Sequence, residues 1–167
     1  MINNTKIKLL VTGGTLDKHY NELTGELVFT QTCLPEMLQQ SRCKMDISIH
    51  TVLLKDSLEM VDADRQAILH ACQKSEESLL IITHGTDSMT LTAQHLAAQI
   101  KDKTIVLLGA MIPYEFKQSD SLFNLGTAVA AVQCLPAGIY ITMNGKIFNW
   151  DNVVKNKQKG VFESTDY

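Results

Sequence analysis

The chain opens its first regular segment with Ile7-Lys8-Leu9-Leu10-Val11, apolar at nearly every position rather than at every second one. A strand with one wet face alternates; a strand covered on both faces reads as a near-continuous apolar run. Such a strand needs helices above and below it, and the rest of the chain supplies them. Further strand-like runs fall at Asp46 to Leu54, Leu79 to Thr83, Thr104 to Leu108 and Gly138 to Met143. Helical patterns separate them. Leu34 to Gln40 reads as a short helix. Ala63 to Gln73 places Ala67, Ile68 and Ala71 on one side, with Asp62 as its expected N-cap. Met89 to Ile100 carries Leu91, Leu96, Ala97 and Ile100, and the Ala-rich Leu122 to Val132 stops before Pro136.

Alternating strands and helices predict an α/β fold with an open, mostly parallel sheet of about five strands and helices on both faces, Rossmann or flavodoxin-like. Two hairpins decorate it. One turns through Glu22 to Leu27 in a polar excursion after the first strand. The other turns at Asn144-Gly145 and leads into Lys146 to Trp150.

At 167 residues the chain reads as one domain, 1–167, long enough to bury a core without disulfide or metal staples. A net charge of −3 gives no sign of the basic face a nucleic-acid binder needs. The longest apolar runs fall well short of the ~18 residues of a membrane span. Met1 to Lys6 lacks the basic start and cleavage site of a secretory leader, so the expected compartment is the cytoplasm. Cys33, Cys43, Cys72 and Cys134 show no C-x-x-C spacing and are expected to be free thiols. No His, Cys and carboxylate cluster suggests a metal, and no cofactor is expected.

In open α/β sheets the site lies outside the carboxyl ends of the strands. The residues there are Thr12-Gly13-Gly14-Thr15, Lys55-Asp56-Ser57, His84-Gly85-Thr86-Asp87-Ser88 and Gly109-Ala110, with Asp151 and Lys155 beyond the last hairpin. Hydroxyls, a carboxylate and an amine would converge on one edge. Each also has a plainer reading. Thr12 to Thr15 is a strand-to-loop turn, or a phosphate cradle without either phosphate-loop pattern. Asp87 or Ser88 caps the following helix. His84 is either a general base or a structural histidine. Lys155, Lys157 and Lys159 alternate as a solvated face would.

These residues carry a resemblance. Thr12-Gly13-Gly14-Thr15 and His84-Gly85-Thr86-Asp87-Ser88-Met89 look like the two signatures of bacterial-type L-asparaginases. Gly109-Ala110-Met111-Ile112-Pro113, Phe123-Asn124-Leu125 and Asp151-Asn152-Val153-Val154-Lys155-Asn156 are similar to later blocks of that family, in the same order. The match covers the family's N-terminal domain, so the chain resembles a short, single-domain form.

The resemblance implies hydrolysis of L-asparagine to L-aspartate and ammonia through a threonyl intermediate. It implies Thr15 as the primary catalytic threonine, Thr86 as the second, and Asp87 and Lys155 as the partners of Thr86. Ser57 would bind the substrate carboxylate and Asp87 its amino group. The backbone of Thr86 and Ala110 would form the oxyanion site, and Tyr20 would stand beside Thr15. A homodimer or larger assembly is implied as well. The chain departs from the two-domain enzymes in three places. Tyr20 follows Thr15 by five residues, a shorter spacing than theirs. Leu58 stands where they often carry a polar ligand. The acidic residue lent by their second domain has no counterpart. Two rivals remain: another amidohydrolase, acting on glutamine or D-asparagine, and a small-molecule binding domain without turnover.

Overall fold

The computed structural model describes residues 5–166. Met1 to Asn4, most of the stretch expected to lack a leader, lie outside the described residues. The main sheet has six strands: β1 (Lys6–Gly13), β4 (Asp46–Lys55), β5 (Leu79–Thr83), β6 (Thr104–Leu108), β7 (Gly138–Met143) and β8 (Lys146–Asn149). Their order is β4-β1-β5-β6-β7-β8, and all pairs are parallel except β7 with β8. Two small antiparallel hairpins stand outside it: β2 (His19–Asn21) with β3 (Glu26–Val28), and β9 (Val154–Asn156) with β10 (Val161–Glu163).

The continuous apolar strands are buried on both faces, as their composition requires. Alternate residues of β1 enter opposite cores: Leu10 lies on one side of the sheet, and Ile7, Leu9 and Val11 on the other. The first core is closed by α2 (Asp62–Lys74) and α3 (Met89–Gln99), through Ile68, Leu69, Ala93 and Leu96. The second is closed by α1 (Leu34–Gln40) and α4 (Ser121–Cys134), through Leu34, Met37, Leu125 and Val132. All five residues of β6 are buried. Each fully buried Leu or Ile contributes roughly 1.5–3 kcal/mol, so the sheet centre is a rigid platform for the loops at its ends.

Three local expectations are corrected. Asp62 is the first residue of α2 and not its N-cap; Val61 holds that position, and Asp64 accepts its N–H at 2.9 Å. Lys146 to Trp150 is more than decoration, because β8 extends the main sheet as an antiparallel edge strand. The C-terminal segment forms a hairpin of its own, β9–β10, not expected from its lysine-rich sequence. The Asn144-Gly145 turn is as expected, with both residues at positive φ. All four cysteines are free. Among the described residues, no helix is long and apolar enough to cross a membrane, and no group of His, Cys, Asp and Glu is placed to hold a metal ion.

Candidate active site

From β1 the chain crosses to β4 on one side, then returns to β5 on the other. The strand order therefore reverses between β1 and β5, and open α/β sheets carry their sites at the carboxyl edge of such a switch point. The register of β1 on β4 shifts between Val11 and Gly13, and Gly14 N–H then bonds to Lys55 O at 3.1 Å. Gly14 has φ +82°, and a Cβ there would lie 2.6 Å from Gly85 Cα. Only glycine allows both that backbone and that contact. Gly85 is pressed in turn onto Ser57, whose Oγ would lie 2.5 Å from a Cβ at that position. Three loops, after β1, β4 and β5, are thereby in van der Waals contact.

One contact among the candidate residues joins positions far apart in the chain. Lys155 Nζ donates to Thr86 Oγ1 at 2.7 Å and to Asp87 Oδ1 at 2.8 Å. The Lys155 side chain is 12% exposed, whereas that of Lys159 is 67% exposed. Lys155 thus does not belong to a solvated face. Asp87 spends its carboxylate on Lys155, and the Ser88 hydroxyl donates to Ser57 O at 2.7 Å. Ser88 stands at the N-cap of α3, as the plainer reading has it, and its carbonyl accepts Leu91 and Thr92 N–H, but neither its side chain nor that of Asp87 makes a capping bond.

Ser57 is buried, and its Oγ accepts Ser88 N–H at 3.3 Å. Asp56, beside it, bonds to Lys18 Nζ at 2.5 Å. Burial works to raise the Asp56 carboxyl, but the bonds from Lys18 and Leu58 N–H, with the charges of Lys18 and Lys155, outweigh it and hold it below the usual range. The Lys18–Asp56 pair ties the segment after Thr15 to the turn carrying Ser57. Ala110 is fully buried, next to Gly109.

Thr15 is half-buried at the start of the turn Thr15–Asp17. Tyr20, on β2, stands apart: its side chain is half exposed and bonds to none of the other candidates. Its backbone is held instead. Tyr20 N–H donates to the Glu115 carboxylate, whose second oxygen lies 3.2 Å from His19 Nδ1. Tyr114 N–H donates to Leu16 O at 3.2 Å. The loop after β6 thus grips the Thr15–Tyr20 segment at three points.

A threonine hydroxyl bonded to a lysine that is itself paired with an aspartate is a set of groups able to move a proton. A family profile described as Asparaginase, N-terminal, matches residues 6–167. The chain belongs to the asparaginase family. L-asparaginase from Thermococcus kodakarensis is 28% identical over 172 residues, covering 97% of this chain and 52% of that protein. A glutamyl-tRNA(Gln) amidotransferase subunit of Methanococcus vannielii is 29% identical over 170 residues, covering 95% of this chain and 38% of that protein. Among solved structures, a probable cytoplasmic L-asparaginase from Campylobacter jejuni superposes with a TM-score of 0.81 at 31% identity, covering 98% of this chain and 54% of its own. This asparaginase-family chain spans about half, or less, of the length of the relatives it matches.

Sequence reasoning passed over Lys18, Glu115 and Asp120. Asp120 accepts Met111 and Ile112 N–H, each at 3.0 Å, and so shapes the loop after Ala110. No spacing marks these residues, because each acts on a segment distant in the chain or on a backbone group.

Proposed function

We propose that this asparaginase-family domain hydrolyses L-asparagine to L-aspartate and ammonia, with Thr15 as nucleophile. The observation that supports this best is the Thr86–Lys155–Asp87 contact beside the Thr15 loop at the carboxyl edge of the sheet. A hydroxyl becomes an effective nucleophile when a neighbouring base takes its proton. In this reading Thr15 Oγ attacks the side-chain amide carbon. Its proton passes through Thr86 and Lys155 to the leaving nitrogen, the C–N bond breaks and ammonia departs. Water then enters along the same relay and splits the ester, returning the Thr15 hydroxyl and releasing aspartate. Thr86 N–H and Ala110 N–H hold the oxygen that becomes negative in each step. Ser57 takes the substrate's carboxylate and Asp87 its amino group. Tyr20 contributes from the edge of the site. The same reading includes a cytoplasmic protein that assembles as a homodimer or larger; light scattering at assay concentration tests the assembly.

The relatives named as glutamyl-tRNA(Gln) amidotransferase subunits favour a second reading, in which the ammonia is handed to an acceptor rather than released. One coupled ammonia assay separates the possibilities. Release from L-asparagine alone supports the first reading. Release from glutamine or D-asparagine in preference moves the substrate. No release from any of these amides overturns the hydrolase reading.

A further inference from the structure

Two side chains, both fully buried, lie behind the Thr86 and Ala110 peptides, and the hydrolytic scheme above does not use them. His84 Nδ1 lies 2.7 Å from Gly85 O, and its Nε2 lies 2.7 Å from Thr92 Oγ1. A carbonyl oxygen only accepts, so Nδ1 carries the proton. Burial pushes the imidazole down to about 4, with the Gly85 bond opposing and the Arg65 charge adding to the fall. The ring is therefore neutral at pH 7, and Nε2 accepts the Thr92 hydroxyl.

Gly85 C=O and Thr86 N–H belong to one planar peptide and point in opposite directions. A bond that fixes the carbonyl also fixes the N–H. The next strand repeats the device. Asn124 Nδ2 donates to Gly109 O at 2.9 Å, and Gly109 C=O shares its peptide with Ala110 N–H. Asn124 Oδ1 accepts Asn144 N–H at 3.0 Å, and Nδ2 also donates to Asp120 at 3.0 Å, so its amide has one orientation. The two peptides are neighbours. His84 N–H bonds to Leu108 O at 2.8 Å, and a Cβ at Gly109 would lie 3.1 Å from Thr86 Cγ2.

We infer that His84 and Asn124 are positioning residues that hold the Thr86 and Ala110 N–H groups in fixed directions as donors to the oxyanion. The inference rests on the reading that those two groups are the oxyanion donors. A bond to each carbonyl also polarises its peptide and strengthens the N–H as a donor. Preorganisation of this kind acts on charge that develops only in the transition state.

The test uses the whole chain. Nitrogen-15 histidine NMR at pH 7 is expected to show His84 protonated on Nδ1; protonation on Nε2 overturns the inference. His84→Phe keeps a ring and removes its donor. Asn124→Asp keeps the acceptor for Asn144 N–H and removes the donor to Gly109 O. Losing an oxyanion donor outright costs roughly 10²–10³ in kcat. Each variant is expected to lose about 10- to 100-fold in kcat on L-asparagine with KM within about twofold, the pattern of an interaction made only in the transition state. The Thr86 amide resonance should move in His84→Phe, and that of Ala110 in Asn124→Asp. A folded variant with unchanged kcat, or with a loss confined to KM, overturns the role of that residue. Should His84→Phe fail to fold, Thr92→Val, which strips the partner from Nε2, is expected to lower kcat in the same way, and a wild-type kcat there overturns it. If the wild-type protein hydrolyses neither asparagine nor glutamine, the oxyanion reading falls on its own. The histidine tautomer and amide shifts then decide whether the peptides are held as described.

Discussion

Lys155 and Thr86, 69 positions apart in sequence, meet at 2.7 Å between Nζ and Oγ1. A short hairpin beyond the last strand of the main sheet delivers the lysine, and the loop after β5 delivers the threonine. If this contact carries the proton, Lys155→Met lowers kcat by at least about 100-fold, in the range of general acid–base catalysis. Lys157→Met and Lys159→Met leave it unchanged, since both residues lie on the exposed side of the segment. Thr15→Ala and Thr86→Ala each remove nearly all turnover, because groups acting as a unit fail together. Steady-state kinetics on the folded variants measures all five, and equal small effects at the three lysines would reject the assignment of Lys155.

Glu115 is expected to act through the Tyr20 segment. Its carboxylate accepts Tyr20 N–H and faces His19, and it lines an open cleft of about 430 Å³ rather than the core. Truncation there leaves no packed cavity, so Glu115→Ala should fold. Amide exchange at Tyr20 should become faster, and kcat/KM should fall in step with Tyr20→Phe. Glu115→Gln keeps an acceptor oxygen and restores part of both. If the two effects are mediated by one segment, combining Glu115→Ala with Tyr20→Phe costs less than the sum of the single changes. Strict additivity would separate Glu115 from Tyr20.

The architecture was legible because it follows from local pattern. Buried strands such as Thr104–Leu108 are apolar throughout, and α2 and α3 repeat their apolar residues at helical spacing. Lys146 to Asn149 predicts a hairpin arm, and nothing in it says which sheet the strand joins, so the place of β8 at the sheet edge comes from the structure alone. The candidate site stands out in the sequence in a different way. Period and spacing could not distinguish Lys155 from Lys157 or Lys159, nor Asp87 from an ordinary helix cap; the family resemblance drew attention to them. Glu115, Lys18 and the peptide-holding bonds of His84 and Asn124 left no local signal. Apart from Gly85, which follows His84 directly, their partners lie in other loops, and three of those four interactions reach backbone groups, which every residue type presents alike.

The loop contacts predict opposite outcomes for two glycine substitutions. A methyl group at Gly85 would lie 2.5 Å from Ser57 Cβ and Oγ, and would push apart the loops after β4 and β5. Overpacking of this kind costs about 1–3 kcal/mol. Gly126 sits within α4, where an added Cβ meets nothing within 4 Å. Alanine there removes the penalty of glycine in a helix, roughly 0.5–1 kcal/mol. Urea unfolding should show Gly85→Ala with a lower midpoint and Gly126→Ala with a higher one. A Gly85→Ala protein as stable as the wild type would show that the two loops are not in contact.

His84 also links stability to pH, with a sign set by its burial. Its folded-state value is about 4, below the ordinary histidine value of 6.5. Between these two values the unfolded chain binds a proton that the folded chain refuses. Stability is therefore complete above about pH 6.5 and is lost as pH falls toward 4, by about 3 kcal/mol at one unit per ~1.36 kcal/mol. Asp56 and Asp64 are held below the carboxylate range, so their contributions fade only on further acidification. Asp17, raised mainly by burial, works in the opposite direction, and its effect is common to wild type and variant. Subtracting the urea-derived stability of His84→Phe from that of the wild type, at steps from pH 7 to pH 4, isolates the histidine. The difference should shift against the wild type across that window. A flat difference would mean that His84 takes up its proton as readily in the folded protein as in the unfolded chain, and that the imidazole is not sealed between Gly85 O and Thr92.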